Sequence, residues 1–188
     1  MAGVMTVLGV LSDTHIPDRA AQLNPRILEI FRQAGVKAIL HAGDVSVPGV
    51  LQELEGVAPV HAVRGNRDIF SLRNLPLRIE LNINGVSIGM AHGHGTFSRY
   101  LLDRLHSVLL YNRDEGYIKR MLQAFPQADV IVFGHLHIPC NLSLEGKLLF
   151  NPGSASVPRS RADPPTIGLL YIEEGVKPYG EMITLDTN

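Results

Sequence analysis

The chain has 188 residues, of which 45% are hydrophobic and 19% charged, with a formal net charge of −1. That composition fits a globular chain that builds its own core rather than a disordered one, and the sequence holds no repeat or low-complexity segment. The near-neutral charge, with no basic block, argues against a nonspecific nucleic-acid binder, and the single cysteine, Cys140, rules out an intrachain disulfide framework and suits a reducing cytoplasm.

The first fifteen residues, MAGVMTVLGVLSDTH, are apolar but lack the basic start and cleavage site of a signal peptide. No apolar run approaches the roughly 18 residues of a membrane span. A soluble cytoplasmic protein is expected, with residues 1–188 forming a single domain.

Residues 4–12, VMTVLGVLS, predict a buried strand. Asn24 and Pro25 predict the cap and first turn of a helix over 25–34, closed by Gly35. A second strand is expected at 36–44, a short helix at 48–55, and a third strand at 59–66. This βαβαβ alternation predicts an α/β fold with a largely parallel sheet. Residues 77–93 hold an Asn-Gly pair between two alternating runs, the signature of a hairpin.

Two helical patterns follow. One carries Phe97, Leu101, Leu105, Val108 and Leu109; the other carries Tyr117, Ile118, Met121, Leu122 and Phe125, with Pro126 beyond its end. The first is so apolar over 100–111 that one core-facing stripe cannot account for it. The 97–125 segment is therefore expected to shape access to a site or to support a homo-oligomer. Residues 128–133 predict a buried strand, and from 141 to 186 short strands alternate with EGK and EEGVKP turns. Residues 158–166 are a Pro-rich surface loop.

The polar residues fall at the strand ends. The predicted strands run into Asp13-Thr14-His15, Gly43-Asp44, Gly65-Asn66-Arg67-Asp68, His92-Gly93-His94 and Gly134-His135-Leu136-His137. In α/β sheets, ligands bind beyond the carboxyl ends of the strands, so these residues can converge although they are far apart in sequence. Each signal alone is weak; DxH, GD and GN are common turn sequences. Their shared placement is what carries weight. Asp13, His15, Asp44, Asn66, His92, His135 and His137 supply four imidazoles, two carboxylates and one amide, without thiolate. Such a set suits borderline or hard divalent ions, and it is too large for one tetrahedral ion. It suits two ions with a bridging carboxylate, the arrangement used for in-line displacement at phosphorus. His41 and His61 sit inside strands and His106 on a helix, and none is given a role.

This motif set resembles the calcineurin-like metallophosphoesterases from Asp13 to about Ser154. HGHGT and Asn151-Pro152-Gly153-Ser154 look like the small bacterial and archaeal phosphodiesterase branch, whose relatives include the retromer scaffold subunit. The resemblance implies two mixed β-sheets packed as a sandwich flanked by helices. It implies that Asp13, His15 and His137 hold one metal, that Asn66, His92 and His135 hold a second, and that Asp44 bridges them. Manganese is the expected metal, with nickel, iron and zinc as the other candidates. Many family members read G-N-H-[DE], with that histidine as general acid; Arg67 stands there in this chain. Arginine cannot donate a proton usefully at neutral pH but can hold a phosphate oxygen.

The expected activity is hydrolysis of a small-molecule phosphodiester by hydroxide acidified by the two ions, without a protein nucleophile. Arg67 and His94 are the candidate substrate-contacting and catalytic residues, with Asn66 beside them. The alternatives are a non-catalytic scaffold of the same fold, and a phosphomonoesterase or nuclease.

Overall fold

The computed structural model describes residues 4–94, 114–160 and 162–185. The predicted helix around Phe97 to Leu109, and His106 with it, lies outside the described residues. In chain order the elements are β1 (Thr6–Leu11), α1 (Pro25–Gln33), β2 (Ala38–His41), α2 (Pro48–Glu55), β3 (Val60–Ala62), β4 (Arg78–Ile83), β5 (Val86–Ala91), α3 (Asp114–Ala124), β6 (Val130–Phe133), β7 (Pro139–Leu144), β8 (Lys147–Pro152), β9 (Thr166–Ile172) and β10 (Tyr179–Thr184).

Local chemistry explains most boundaries. The Asn24 side chain accepts a hydrogen bond from the Arg26 amide and starts α1, with Pro25 in its first turn. Val47 supplies no side-chain cap to α2, whose start rests on Pro48. Asn84 and Gly85 both take positive φ, 50° and 80°, as a tight hairpin turn requires. The predicted second and third strands are longer than β2 and β3. Residues 42–44 and 63–66 leave the ladder to form the loops that carry the polar groups.

The strands form two five-stranded sheets, ordered β10-β9-β1-β2-β3 and β4-β5-β6-β8-β7. Each has three parallel strands and antiparallel partners: β1, β2 and β3 in the first, β5, β6 and β8 in the second. This is the α/β sandwich of two mixed sheets that the resemblance implies. Leu8, Val10, Leu40, Ile88, Met90, Val130, Val132 and Phe150 fill the space between the sheets. Phe150 lies against Gly168 and Gly180, where an added Cβ would come within 2.4 and 2.2 Å of its ring. Helices α1 and α2 cover the outer face of the first sheet through Ile27, Phe31, Val50 and Leu54. Helix α3 covers the second through Tyr117, Met121 and Phe125.

Sandwich packing places the carboxyl ends of β1, β2 and β3 beside those of β5, β6 and β8. The loops after these strands therefore share one edge of the molecule. No helix among the described residues is long and apolar enough to cross a membrane.

Candidate metal centre

The loop after β1 is tied to the loop after β2 by the amides of Asp13 and His15, which donate to the carbonyls of Gly43 (2.9 Å) and Asp44 (3.1 Å). The loop after β6 is tied to the loop after β1 by the His135 amide, which donates to Asp13 Oδ2 (3.0 Å). Five of the seven candidate ligands sit in left-handed backbone: Asp13 (φ 55°), His15 (49°), Asp44 (55°), His135 (71°) and His137 (55°). Such conformations cost about 1–3 kcal/mol each in non-glycine residues and persist where the surroundings over-determine them. Here the cross-loop hydrogen bonds do so, and the result is to turn all five side chains toward one point.

All seven candidate ligands converge. His137 Nε2 lies 3.1 Å from Asp13 Oδ1 and 3.2 Å from His15 Nε2. His92 Nε2 and His135 Nδ1 lie 3.2 and 3.1 Å from Asn66 Oδ1. Asp44 Oδ2 sits between these groups, 3.8 Å from His15 Nε2 and 3.6 Å from His92 Nε2. Asp13, His15 and His137 offer ligand atoms within 4.8 Å of one another, and so do Asp13, Asp44 and His92. Asp13 thus faces both groups, an overlap absent from the ligand assignment that the resemblance implies.

The donor chemistry fits a divalent cation. His92 Nδ1 donates to the Ala42 carbonyl (2.7 Å), and His137 Nδ1 donates to the Val157 carbonyl, so each ring turns Nε2 inward. Asp13 Oδ1 is buried without a hydrogen-bond partner, facing His15, His92 and His137. Lone pairs aimed at lone pairs are reconciled only by positive charge between them. In the metal-free chain protons take that place. Burial pushes the Asp13 carboxyl up, but the charge of His92 and the nearby rings of His137 and His15 outweigh it and hold it well below its ordinary value. Burial works against charge on His92 and His137 as well; the carboxylates of Asp44 and Asp13 raise the first, and Asp13 raises the second. Burial, with Asp13 beside it, raises Asp44. Metal binding to such a site displaces protons and strengthens with pH.

Arg67 and His94 border the cluster differently. The Arg67 guanidinium lies 3.6 Å from Asp18, with both side chains about half exposed, while its backbone amide donates to Asp44 Oδ1 (2.8 Å). The His94 ring lies 5.4 Å from that of His92 and 6.5 Å from that of His135. Burial, then the charge of His92, lowers its pKa to about 4, so it is neutral at physiological pH.

Several residues that the sequence reading gave no role hold these side chains. Asp68, fully buried, accepts from the amides of Gly65 (2.7 Å), Ser46 (2.7 Å) and Asp44 (3.0 Å). Ser12 Oγ donates to Asp13 Oδ2 (2.6 Å), the Ser154 hydroxyl donates to the Asp13 carbonyl (2.8 Å), and the Ser156 hydroxyl donates to the adjacent Thr14 carbonyl (2.6 Å). The sequence carried a signal for two of them: Asp68 ends the GNRD stretch, and Ser154 ends NPGS. Gly65 leaves room for this packing, since a Cβ there would lie 2.1 Å from Asp44 Oδ1.

His41 is a further support. It accepts from the Gly43 amide at Nδ1 (3.3 Å), so its Nε2 proton faces Thr14 Oγ1 (3.2 Å), whose hydroxyl reaches the Val45 carbonyl (3.2 Å). Burial lowers its pKa from 6.5 to about 4. Below pH 6.5 the unfolded chain protonates His41 while the folded chain does not until about pH 4, so stability falls with pH through that window. The loss amounts to roughly 2–3 kcal/mol. Urea unfolding of the metal-free protein should show a smaller loss between pH 7.5 and 4.5 in His41→Gln than in the wild type. Equal losses would remove His41 from the account.

A family model described as the calcineurin-like phosphoesterase superfamily domain matches residues 5–175. The chain is 37% identical over 177 residues to a probable metallophosphoesterase of Methanothermobacter thermautotrophicus, covering 94% of this chain and 91% of that one. It is 30% identical over 159 residues to a phosphodiesterase of Escherichia coli, covering 77% and 78%. Among solved structures, vacuolar protein sorting 29 of Cryptosporidium parvum superposes with a TM-score of 0.72 at 21% identity, over 100% of both chains.

Proposed function

The chain belongs to the calcineurin-like phosphoesterase superfamily, and from that premise we propose that it hydrolyses a small-molecule phosphodiester at a centre of two divalent ions, manganese first among the candidates. The supporting observation is the placement of Asp44 Oδ2 between His15 on one side and His92 on the other, with Asp13 Oδ1 buried and unbonded beside it. In this reading residues 1–188 act as one domain. Asp13, His15 and His137 would hold one ion, Asn66, His92 and His135 would hold the other, and Asp44 would serve both.

Bound there, the two ions would supply a hydroxide from water at neutral pH and neutralise charge on the phosphoryl oxygens. The remaining work falls to the chain. The Arg67 amide fixes Asp44 through Oδ1 and leaves Oδ2 for the ions. The Arg67 guanidinium, reachable from solvent, binds a phosphoryl oxygen and orients the ester. His94, neutral, donates a hydrogen bond toward the leaving oxygen rather than a full proton. A centre without a charged acid favours esters whose alcohol leaves as a stable anion.

Metal-stripped protein reloaded with manganese should therefore hydrolyse a diester with an activated, acidic leaving group at least about tenfold faster than a diester of a simple alcohol. Metal analysis should give two equivalents. Equal rates on the two diesters would overturn the reading of Arg67 and His94. No turnover of diesters, monoesters or nucleic acid with both ions bound would favour the scaffold alternative.

A further inference from the structure

We infer that Tyr117 is a positioning residue for the half of the centre formed by Asn66, His92 and His135. The inference rests on the two-ion reading above.

Helix α3 lies on the outer face of the second sheet. Its buried stripe, Tyr117, Met121 and Phe125, repeats every four residues. Phe125 is seated over Gly89 of β5, where an added Cβ would be 2.4 Å from the ring. That seating sets the helix along the strands and carries Tyr117 to their carboxyl ends.

There the Tyr117 hydroxyl donates to the carbonyl of His92. The Gly134 carbonyl also lies 3.2 Å from the hydroxyl oxygen, but it receives the Asn151 side-chain amide at 3.1 Å. A phenol has one proton, so it goes to His92. The ring lies nearly parallel to the His135 imidazole, at 12° and 6.1 Å between centroids. The Arg120 guanidinium covers the ring at 5.3 Å.

Gly93 fits the same design. Its φ is +90°, and a Cβ there would stand 1.7 Å from the Tyr117 oxygen. The glycine after His92 is what lets the phenol reach the strand end. One side chain thus holds His92 through its backbone and His135 through its ring. The other half of the centre is held from a different side: Asp13 by Ser12 and Ser154, and His137 by Val157.

The consequence is selective. Loss of the hydroxyl frees the end of β5 and loosens His92 without touching Asp13, His15 or His137. The test is calorimetric titration of metal-stripped protein with Mn²⁺, paired with thermal melts of the stripped proteins. In Tyr117→Phe one equivalent should bind about 10–100-fold more weakly while the other is unchanged. Gly93→Ala, which crowds the hydroxyl from the other side, should give the same split. Met121→Ala, a neighbour on the same stripe, should lower the melting temperature and leave both affinities alone. Two wild-type affinities in Tyr117→Phe, or an equal loss from both, would overturn the inference while leaving the two-ion reading intact. A single equivalent in the wild type would overturn that reading and the inference with it.

Discussion

Asp44→Asn should lower the rate on an activated diester by at least about a thousandfold, or roughly 4 kcal/mol of transition-state stabilisation. The two oxygens of Asp44 have different partners. Oδ1 accepts from the Arg67 amide, and Oδ2 faces His15 and His92. Asparagine keeps the first contact through its carbonyl oxygen. It replaces Oδ2 by an NH₂ group, a donor with no lone pair for a cation. On the two-ion reading both ions would lose a ligand at once, which is why the expected effect exceeds that of changing any one histidine. The fold should not suffer. Burial and the neighbouring Asp13 carboxylate already disfavour the charged form of Asp44, so the metal-free variant should melt no lower than the wild type. Manganese content and thermal melts measured alongside the rate would check this. Two tightly bound ions in an inactive variant would mean that Asp44 acts in the chemistry rather than in binding. Retained activity would remove the bridging role altogether.

Asp68→Ala should be the most destabilising single change near the centre. Asp68 is fully buried and accepts from three backbone amides in two loops, those of Asp44, Ser46 and Gly65. Truncation leaves all three donors unsatisfied in the interior. Each costs about 1–3 kcal/mol, so a loss of about 4 kcal/mol or more is expected. The loops that present Asp44 and Asn66 would relax together, and manganese affinity should fall by about 10–100-fold even where the protein remains folded. Asp68→Asn keeps the shape but turns a donor toward one of the amides, and it should be intermediate on both counts. Denaturant unfolding and metal titration of the two variants would check the order. A loss below about 1 kcal/mol in Asp68→Ala would show that water replaces the carboxylate, and the account of the loop pair would fail.

Local chemistry made much of the fold legible in the sequence. The Asn24 cap, the Asn84-Gly85 turn and the short apolar runs of β1, β2 and β6 are features whose causes lie within a few residues of each other. The candidate ligands were legible for a related reason. Each sits just past a strand, and parallel strands put such positions on one edge whatever the connections between them. The sequence by itself thus determined which residues compete for a place at the centre.

Tertiary structure decided the rest. Asp68 reads as the last residue of a turn until β2 and β3 pair and bring the amides of Asp44 and Ser46 to its carboxylate. The Arg67 guanidinium reads as a phosphate clamp, yet its partner Asp18 comes from the loop after β1. The left-handed backbone at Asp13, His15, Asp44, His135 and His137 has no signature in residue type, because those conformations are imposed by bonds between loops. Tyr117 looks like one more core position on an amphipathic helix. Only the seating of Phe125 over Gly89 brings its hydroxyl to His92. Residue type and spacing report interactions along the chain; the contacts that orient these side chains run between strands and loops that meet only when the two sheets pack.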